Sequence, residues 1–305
     1  MQEQILTPKT SDQKNNEKLV SRVKVQTSVI VTLYNLESDI ADVYNSLLGA
    51  LKKTDNHFEV IFVDDGSDDN SWNKLKDLSA KERRVKLIRL RNRFDESVSF
   101  DAGLKHASGE NIVFFNTRVR INPAQISKLL KKLNQGYDLV MGWRYPRRDS
   151  KLNQIISRAF NWIVRKFSNI ALQDVNSGVL ATRREVLEDI PIYGNLNIFI
   201  PISAAQKGYR VTDEKIEQLP GSFRQSKYVS EYFRRLLDIV TVIFLTKYSK
   251  KPLHFLGFFG LIFAIAGGAM NIYLFIYRLF EFGPIAGRPL LLLGALLLVI
   301  GIQMI

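Results

Sequence analysis

Strand-like and helix-like segments alternate with short connections over residues 27–116, and this alternation constrains the fold more than any other feature of the chain. The strand-like segments are β-branched apolar runs such as SVIVTL (28–33), which are typical of buried strands. The helix-like segments repeat apolar residues every three or four positions, as do Ile40, Val43 and Leu47. The pattern predicts strands at 28–33, 58–65, 85–90 and 111–116, with helices at 37–51, 69–80 and 97–107. We therefore expect an α/β fold with a parallel sheet and right-handed crossovers.

A further strand at 138–144 and an amphipathic helix at 152–168 are predicted downstream. One face of this helix is apolar, and the other face carries Arg158, Arg165 and Lys166. Two interpretations stay open: the helix packs on the core with its basic face in solvent, or it lies against a membrane surface. The apolar face comprises Ile155, Ile156, Ala159, Phe160, Ile163 and Phe167.

The C-terminal region is almost wholly apolar. Residues 252–277 contain no Asp, Glu, Lys or Arg, and this run exceeds the roughly 20 residues that span a bilayer. A second apolar run covers 289–305, so we expect a transmembrane hairpin with helices at about 254–278 and 289–305. The segment 233–251 ends in a basic cluster, which by the positive-inside rule places the globular part in the cytoplasm. The prediction is a multi-pass protein of the inner or plasma membrane.

Composition divides the chain further. Residues 1–26 are polar and lack the apolar core of a secretory signal, and they are predicted to form a flexible arm. A globular domain is expected at 27–225, a juxtamembrane amphipathic helix at 226–251 and the hairpin at 252–305. The formal charge is +13, which favours phosphate-bearing or anionic partners. There is no cysteine, which excludes disulfides, zinc–thiolate sites and thiol nucleophiles.

Polar residues follow the first two predicted strands. The stretch VDDGSDD (63–69) begins with a strand end that carries Asp64 and Asp65, whose carboxylates can accept hydrogen bonds from a ribose or a base edge. The stretch TLYNLE (32–37) ends the neighbouring strand. Because ligands of parallel sheets bind at the carboxyl ends of strands, these two loops are predicted to grip a nucleotide.

Several motifs in order carry a family resemblance: LYNLE, VDDGSDDNS, RNRFDESVSFDAGLKHASGENIV, VMGWRYPRRD, ATRREVLEDIPIYG, FIP, SKY and RRLLDIVTVIFLTKYSKKPLHFLG. With them the chain resembles family 2 glycosyltransferases of the polyprenyl-phosphate branch related to dolichyl-phosphate mannose synthase. The resemblance covers roughly residues 27–305. It implies a GT-A fold, a UDP- or GDP-linked sugar donor, a polyprenyl-phosphate acceptor at the membrane face and inversion at the anomeric carbon.

The resemblance also implies roles for individual residues. Arg144 matches an arginine near the phosphates, and Arg147 follows at a basic position. Ser226 and Lys227 match a segment that closes over the pyrophosphate, and Asp174 aligns with an acidic residue near the reacting centre. We therefore predict Asp174, Arg144 and Arg118 as catalytic candidates, and Arg144, Arg147, Ser226 and Lys227 as contacts to phosphate or acceptor. The resemblance, with the loops above, implies that Tyr34, Asn35, Glu37, Asp64 and Asp65 bind the nucleotide-sugar. We also predict Asn116 and Arg120 there, from the chemistry of their side chains.

One motif departs from the family pattern. The stretch FFNTRVRINP (114–123) places Asn116 and Arg118 where the family has an Asp-x-Asp element, and Arg120 at the third polar position. Magnesium needs hard, usually anionic oxygen ligands, and an arginine would repel it. No metal site and no other cofactor are therefore predicted, and the arginines are expected to neutralise the donor diphosphate instead.

Two functional interpretations follow from this departure. The chain is either an active, metal-independent glycosyltransferase or a catalytically impaired homologue that acts as a binding or assembly subunit. Nucleic acid is not expected as a partner, because the membrane segments explain the basic charge and no aromatic–basic pattern of RNA binding is present. The expected partners are the nucleotide-sugar, polyprenyl phosphate, the lipid bilayer, and a second copy or a paralogue of the chain.

Overall fold

The structure of the protein is a computed structural model. It describes residues 4–6, 25–54, 57–94, 96–149, 151–168, 170–190, 199–220, 252–280 and 289–305. The chain forms two compact units, Met1–Phe233 and Arg234–Ile305. The predicted juxtamembrane helix at 226–251 lies outside the described residues, as do Ser226 and Lys227.

The first unit is built on one eight-stranded sheet with the order β1-β4-β3-β2-β5-β7-β6-β8. The strands are β1 (Gln4–Leu6), β2 (Thr27–Leu33), β3 (Phe58–Asp64), β4 (Val85–Arg89), β5 (Asn111–Asn116), β6 (Leu139–Arg144), β7 (Val179–Arg183) and β8 (Val211–Ile216). Strands β2 to β5 are mutually parallel in the centre, and β6 is parallel to β8. This confirms the predicted α/β fold.

Two strands differ from the sequence prediction. Residues 4–6 were expected in a flexible arm, but they form the edge strand β1, which pairs antiparallel with β4. Strand β7 was not predicted, and it runs antiparallel to both β5 and β6. A strand of three residues is too short to show a period in the sequence. Strand β7 spans Val179–Arg183, a stretch for which only the family resemblance, and no strand pattern, had been noted.

The central strands are buried on both faces, as all residues of β2, β3 and β5 are. Helices on both faces of a sheet produce this burial, which explains why the strands read as continuous apolar runs. The helices are α1 (Ile40–Thr54), α2 (Ser71–Lys81), α3 (Glu96–His106), α4 (Ile126–Asn134), α5 (Lys151–Ser168), α6 (Arg184–Asp189) and α7 (Ile200–Gln206). The starts of α1, α2, α3 and α5 lie within three residues of the predicted ones.

The sheet gathers four strand ends at one edge. Leu33 of β2 is in register with Asp64 of β3, and Thr32 is in register with Asn116 of β5. Because β7 is antiparallel to both β5 and β6, β6 runs in the same direction as β5 and its last residue, Arg144, reaches the same edge. The residues predicted to bind ligand therefore share one edge of the sheet.

The second unit contains two apolar helices, α8 (Pro252–Leu279) and α9 (Pro289–Met304), which pack against each other. Leu256–Leu279 is long and apolar enough to cross a membrane, whereas the 16 residues of α9 form a shorter apolar helix. Glycines line their contact: a Cβ on Gly260 would lie 2.7 Å from the carbonyl oxygen of Gly301, and one on Gly267 would lie 2.5 Å from the amide nitrogen of Leu298. The two backbones can approach this closely only because side chains are missing there.

A leucine at Gly301 is expected to separate the two helices, since its Cβ would collide with the backbone of Ala264 and Gly260. We expect Gly301→Leu to destabilise the helix pair by about 1–3 kcal/mol, which is typical of overpacking. Thermal unfolding of the full chain in detergent measures this. Gly257→Leu is the matched control, because a Cβ there meets nothing within 4 Å. Equal melting temperatures for the two variants would contradict the glycine contact.

Candidate functional site

The two loops predicted to grip a nucleotide are bonded to each other. The side-chain oxygen of Asn35 accepts a hydrogen bond from the amide of Asp68 at 3.0 Å, and the Tyr34 hydroxyl donates to the Asp68 carboxylate at 2.9 Å. The amide of Glu37 donates to Asp69 at 3.1 Å. Asn35 itself adopts a left-handed conformation with φ of 52°, which an asparagine tolerates better than most residues. The structure thus brings Tyr34, Asn35 and Glu37 together with the loop that follows β3.

Asp64 is fully buried at the end of β3. Its Oδ1 accepts a hydrogen bond from the amide of Ser67 at 3.0 Å, and its Oδ2 lies 3.4 Å from Nε of Arg89. The next turn needs a glycine, because Gly66 has φ of 70° and a Cβ there would lie 2.8 Å from the carbonyl carbon of Asn92. Asp64 therefore holds the turn in place, and its burial does not support a direct ligand contact.

Asp65 lies beside Asp64 and is bound from two sides. Its Oδ1 accepts a hydrogen bond from the amide of Phe94 at 2.8 Å, and its Oδ2 accepts one from Nη2 of Arg118 at 3.0 Å. Burial raises the pKa of Asp65, although the Phe94 amide and the Arg118 guanidinium act in the opposite direction. The Arg118 guanidinium also lies 5.5 Å from the ring centre of Tyr34, and that of Arg93 lies 4.2 Å from it.

Polar side chains of the turn after β5 are hydrogen-bonded to backbone groups of the protein. Asn116 is buried, and its Oδ1 accepts a hydrogen bond from the amide of Arg118 at 2.9 Å, which caps the short 3₁₀ helix Thr117–Val119. Arg120 has φ of 51°, and its Nε donates to the carbonyl of Pro220 at 3.3 Å. Arg118 thus points to the nucleotide loops, whereas the placement of Arg120 does not support a phosphate contact.

Arg144 and Asp174 form a buried, bidentate ion pair. Nε of Arg144 donates to Oδ2 of Asp174 at 2.6 Å and Nη2 donates to Oδ1 at 2.9 Å, while Nη2 also reaches the carbonyl of Asn176. Asp174 is 1% exposed and Arg144 is 8% exposed. Both residues were predicted to be catalytic, but in the structure they bind each other, and the pairing favours a structural role for the carboxylate.

Arg147 lies next to this pair and is oriented by two neighbours. Its Nε and Nη2 donate to the two carboxylate oxygens of Asp149 at 2.9 and 2.6 Å, and its Nη1 donates to the hydroxyl of Ser157 at 2.6 Å. Burial acts to raise the pKa of Asp149, but the hydrogen bond and the charge of Arg147 outweigh it and lower the pKa below its usual range. Nη1 also lies 3.9 Å from Asp174, so Arg147 continues the same network.

A cavity of about 320 Å³ opens beside these ion pairs, and four arginines line it: Arg144, Arg147, Arg158 and Arg165. The last two lie on one face of α5. Arg158 donates to the side-chain oxygen of Gln154 at 3.4 Å and Arg165 donates to that of Gln173 at 2.7 Å. Within the described residues neither guanidinium has a carboxylate within 4.0 Å. Counting these residues, two of the four arginines have no carboxylate partner, an arrangement that suits an anion.

Arg158 and Arg165, which line the cavity, were not predicted as site residues. The sequence does contain a pattern that could have identified them. Polar residues recur at steps of four, three and four, which places them on one helical face: Gln154, Arg158, Asn161 and Arg165. The apolar face predicted for α5 is only partly buried: Phe160 packs inside, whereas Ile155 is 60% exposed. Trp162, which the predicted face did not include, is 55% exposed.

Gln218 connects the two parts of the site. It is 1% exposed, its Oε1 accepts a hydrogen bond from the amide of Arg148 at 2.8 Å, and its Nε2 donates to the carbonyl of Val119 at 3.1 Å. One side chain thus joins the turn that carries Arg118 to the loop that carries Arg147. The nucleotide loops and the arginine cavity are held as neighbours at the same edge of the sheet.

The side chains at the end of β5 do not fit a divalent cation. Oδ1 of Asn116 is already occupied by the amide of Arg118, and the guanidinium of Arg118 lies on the nearest carboxylate, Asp65. Across the parts of the chain that the structure describes, no group of three or more His, Cys, Asp or Glu side chains is arranged to hold a metal ion. The donor set therefore agrees with the departure seen in the sequence.

Known proteins with similar sequences are glycosyltransferases. The profile of the family described as glycosyl transferase family 2 matches residues 28–190. A dodecaprenyl-phosphate galacturonate synthase from Rhizobium johnstonii is 25% identical over 287 residues, which cover 92% of this chain and 85% of the relative.

Solved structures of similar fold include glucosyl-3-phosphoglycerate synthase from Mycobacterium tuberculosis. Its complex with Mn²⁺ and UDP-glucose superposes with a TM-score of 0.56 at 16% identity, covering 72% of this chain and 78% of that one. Its complex with UDP gives a TM-score of 0.56 at 16% identity, covering 72% of this chain and 79% of that one. At this identity the likeness shows the fold alone.

Breaking the Arg144–Asp174 pair is expected to destabilise the fold strongly. Asp174→Ala leaves a buried, unpaired guanidinium, which costs about 3–5 kcal/mol. Urea unfolding of the full chain in detergent measures the loss. Asp101→Ala is the matched control, because it removes the exposed i,i+4 pair with Lys105 and should cost less than about 1 kcal/mol. Similar losses for the two variants would contradict the structural role of Asp174.

Proposed function

This chain belongs to glycosyl transferase family 2, and from that premise we propose that it transfers a sugar from a nucleotide-sugar to polyprenyl phosphate at a membrane surface. The family makes it a glycosyltransferase, and its fold is the GT-A fold that the resemblance implied. The relative that covers 92% of the chain is named a polyprenyl-phosphate sugar synthase, which favours catalysis over a role as a binding subunit. The observation that carries the proposal is the arginine cavity beside the nucleotide loops.

The donor would bind at the loops after β2 and β3. Tyr34 offers an aromatic face, and Asp65 and Arg118 offer polar groups at the edge where parallel sheets bind their ligands. The hydrogen bonds among Tyr34, Asn35 and Asp68 fix these loops before the donor arrives. Such preorganisation reduces the entropy lost on binding.

The acceptor phosphate would bind in the arginine cavity. In the described part of the chain, Arg158 and Arg165 donate to neutral side-chain oxygens, so a phosphate can accept charge-assisted hydrogen bonds from both. Arg147 is oriented toward the same cavity by Asp149 and Ser157. Arg144, in contrast, would act through Asp174 by shaping the cavity wall.

The chemistry needs little from a general base. A phosphate oxygen of the acceptor is already anionic, so it can attack the anomeric carbon directly while the bond from that carbon to the diphosphate oxygen breaks, with inversion. The negative charge that develops on the leaving nucleoside diphosphate needs stabilisation by cations. We propose that arginines supply this charge and that no divalent cation is required.

The membrane assignment is part of the proposal. The helices α8 and α9 would form a hairpin in the bilayer, with the globular unit in the cytoplasm and the chain in the inner or plasma membrane, as the basic cluster at 233–251 favours. Helix α5 has Ile155 and Trp162 exposed, with Lys166 5.0 Å from the Trp162 ring centre. This combination of aromatic, apolar and basic groups is typical of a helix lying on a lipid surface. Assembly with a second copy or a paralogue stays a prediction.

A transfer assay with the acceptor varied tests the cavity. We expect Arg158→Gln and Arg165→Gln each to raise the KM for polyprenyl phosphate about tenfold or more, since a hydrogen bond to a charged group contributes roughly 1.5–3 kcal/mol. The KM for the donor should stay unchanged. Lipid-linked product formed from a panel of UDP- and GDP-sugars is measured by mass spectrometry.

Lys151→Gln provides the matched control for this assay. It removes one positive charge from the same helix at an exposed position outside the cavity, so its acceptor KM should match that of the unaltered protein. An equal rise in the control would assign the effect to general charge at the membrane. Absence of lipid-linked product across the whole panel would contradict the proposed function.

A further inference from the structure

The turn after β5 combines a neutral and a cationic side chain where the family resemblance places two carboxylates. Two carboxylates with one divalent cation carry a formal charge of zero. Asn116 with Arg118 carries +1 without any metal. The turn itself therefore carries one more positive charge than a metal-loaded Asp-x-Asp element would, and Arg118 pairs through one nitrogen with Asp65.

Arg118 is held in a fixed position but is not fully engaged. Nη2 donates to Asp65 at 3.0 Å, while within the described part of the chain no hydrogen-bond acceptor is bound to its Nε or Nη1. Its side chain is 32% exposed, against 4% for Asp65. A guanidinium has five donors in a planar fork that matches phosphate oxygens, so Arg118 retains donors for a ligand while Asp65 orients it.

A second guanidinium lies close to the first. Arg93 stacks on the ring of Tyr34 at 4.2 Å, and Arg118 lies 5.5 Å from the same ring centre. The loop of Arg93 is held in place because the amide of the next residue, Phe94, donates to Asp65. Two cations thus converge on the nucleotide loops, and only one of them is paired with Asp65.

We infer that Arg118 takes the place of the divalent cation, with its free N–H groups bonded to the donor diphosphate, and that Arg93 adds a second positive charge there. Asp65 acts as the positioning residue for Arg118. The inference rests on the proposed function, since it specifies how the donor of that reaction is held.

Isothermal titration of the full chain in detergent with UDP, and separately with GDP, tests this inference. The dissociation constant of the nucleotide that binds should agree within about twofold between a chelator and Mn²⁺. Arg118→Gln should weaken binding roughly tenfold to a hundredfold, the loss of a hydrogen bond to a charged group. Arg84→Gln is the matched control, because it removes the same charge at the opposite edge of the sheet, where Arg84 stacks on Phe58 at 4.7 Å.

The outcomes separate the inference from the proposed function. Binding of UDP or GDP that requires Mn²⁺ in the unaltered protein would overturn the role of Arg118 and the metal independence proposed above. It would leave sugar transfer from a nucleotide-sugar to polyprenyl phosphate standing, and this measurement needs no variant. Binding of neither nucleotide in either condition would overturn both. The double variant Asn116→Asp with Arg118→Asp is expected to bind the nucleotide at least about tenfold more tightly with Mn²⁺ than with chelator, and equal affinities would count against the inference.

Discussion

Pairing between arginines and buried carboxylates at the ligand edge of the sheet is the interaction on which the rest of the site depends. Asp64, Asp65 and Asp174 are almost fully buried there, and each has an arginine within 3.4 Å. A buried carboxylate without a partner would cost several kcal/mol. The loops at this edge therefore depend on Arg89 and Arg144. Arg118 is 32% exposed, and its partner Asp65 also accepts a hydrogen bond from the amide of Phe94, so this pair constrains the loops less.

This constraint decides which arginines can still meet a substrate. Arg144 donates hydrogen bonds to Asp174 and Asn176 in the cavity wall. Among the residues that the structure describes, the Arg118 guanidinium is bound through Nη2 alone, and Arg158 and Arg165 donate to neutral amide oxygens. The positive charge available to ligands thus resides in residues that the carboxylates leave partly free. These residues form two groups, one near the nucleotide loops and one in the cavity.

The sequence predicted most of the fold because its central strands are buried on both faces and its helices are amphipathic, which gives each element a clear period. It did not predict β1, which is only three residues long, or the antiparallel β7. The edge of the sheet that carries the site was also predictable, since the strand ends determine it. Pairings were not: that Arg118 reaches Asp65, 53 positions away, and that Arg144 reaches Asp174, depends on side-chain directions in three dimensions. The roles assigned to these residues stay predictions.

The proposed acceptor site would make helix α5 the link between the two environments that a lipid-linked acceptor needs. One of its faces lines the arginine cavity through Gln154, Arg158 and Arg165, and the exposed side carries Ile155 and Trp162. A polyprenyl phosphate has the same division, because its phosphate is anionic and its chain is apolar. If the exposed side of α5 lies on the bilayer, the phosphate can enter the cavity while the prenyl chain stays in the lipid. Charge-assisted hydrogen bonds are short, so a phosphate bound in the cavity can react only if the loops that bind the nucleotide-sugar lie next to the cavity. Gln218 joins the two regions through its hydrogen bonds with Val119 and Arg148.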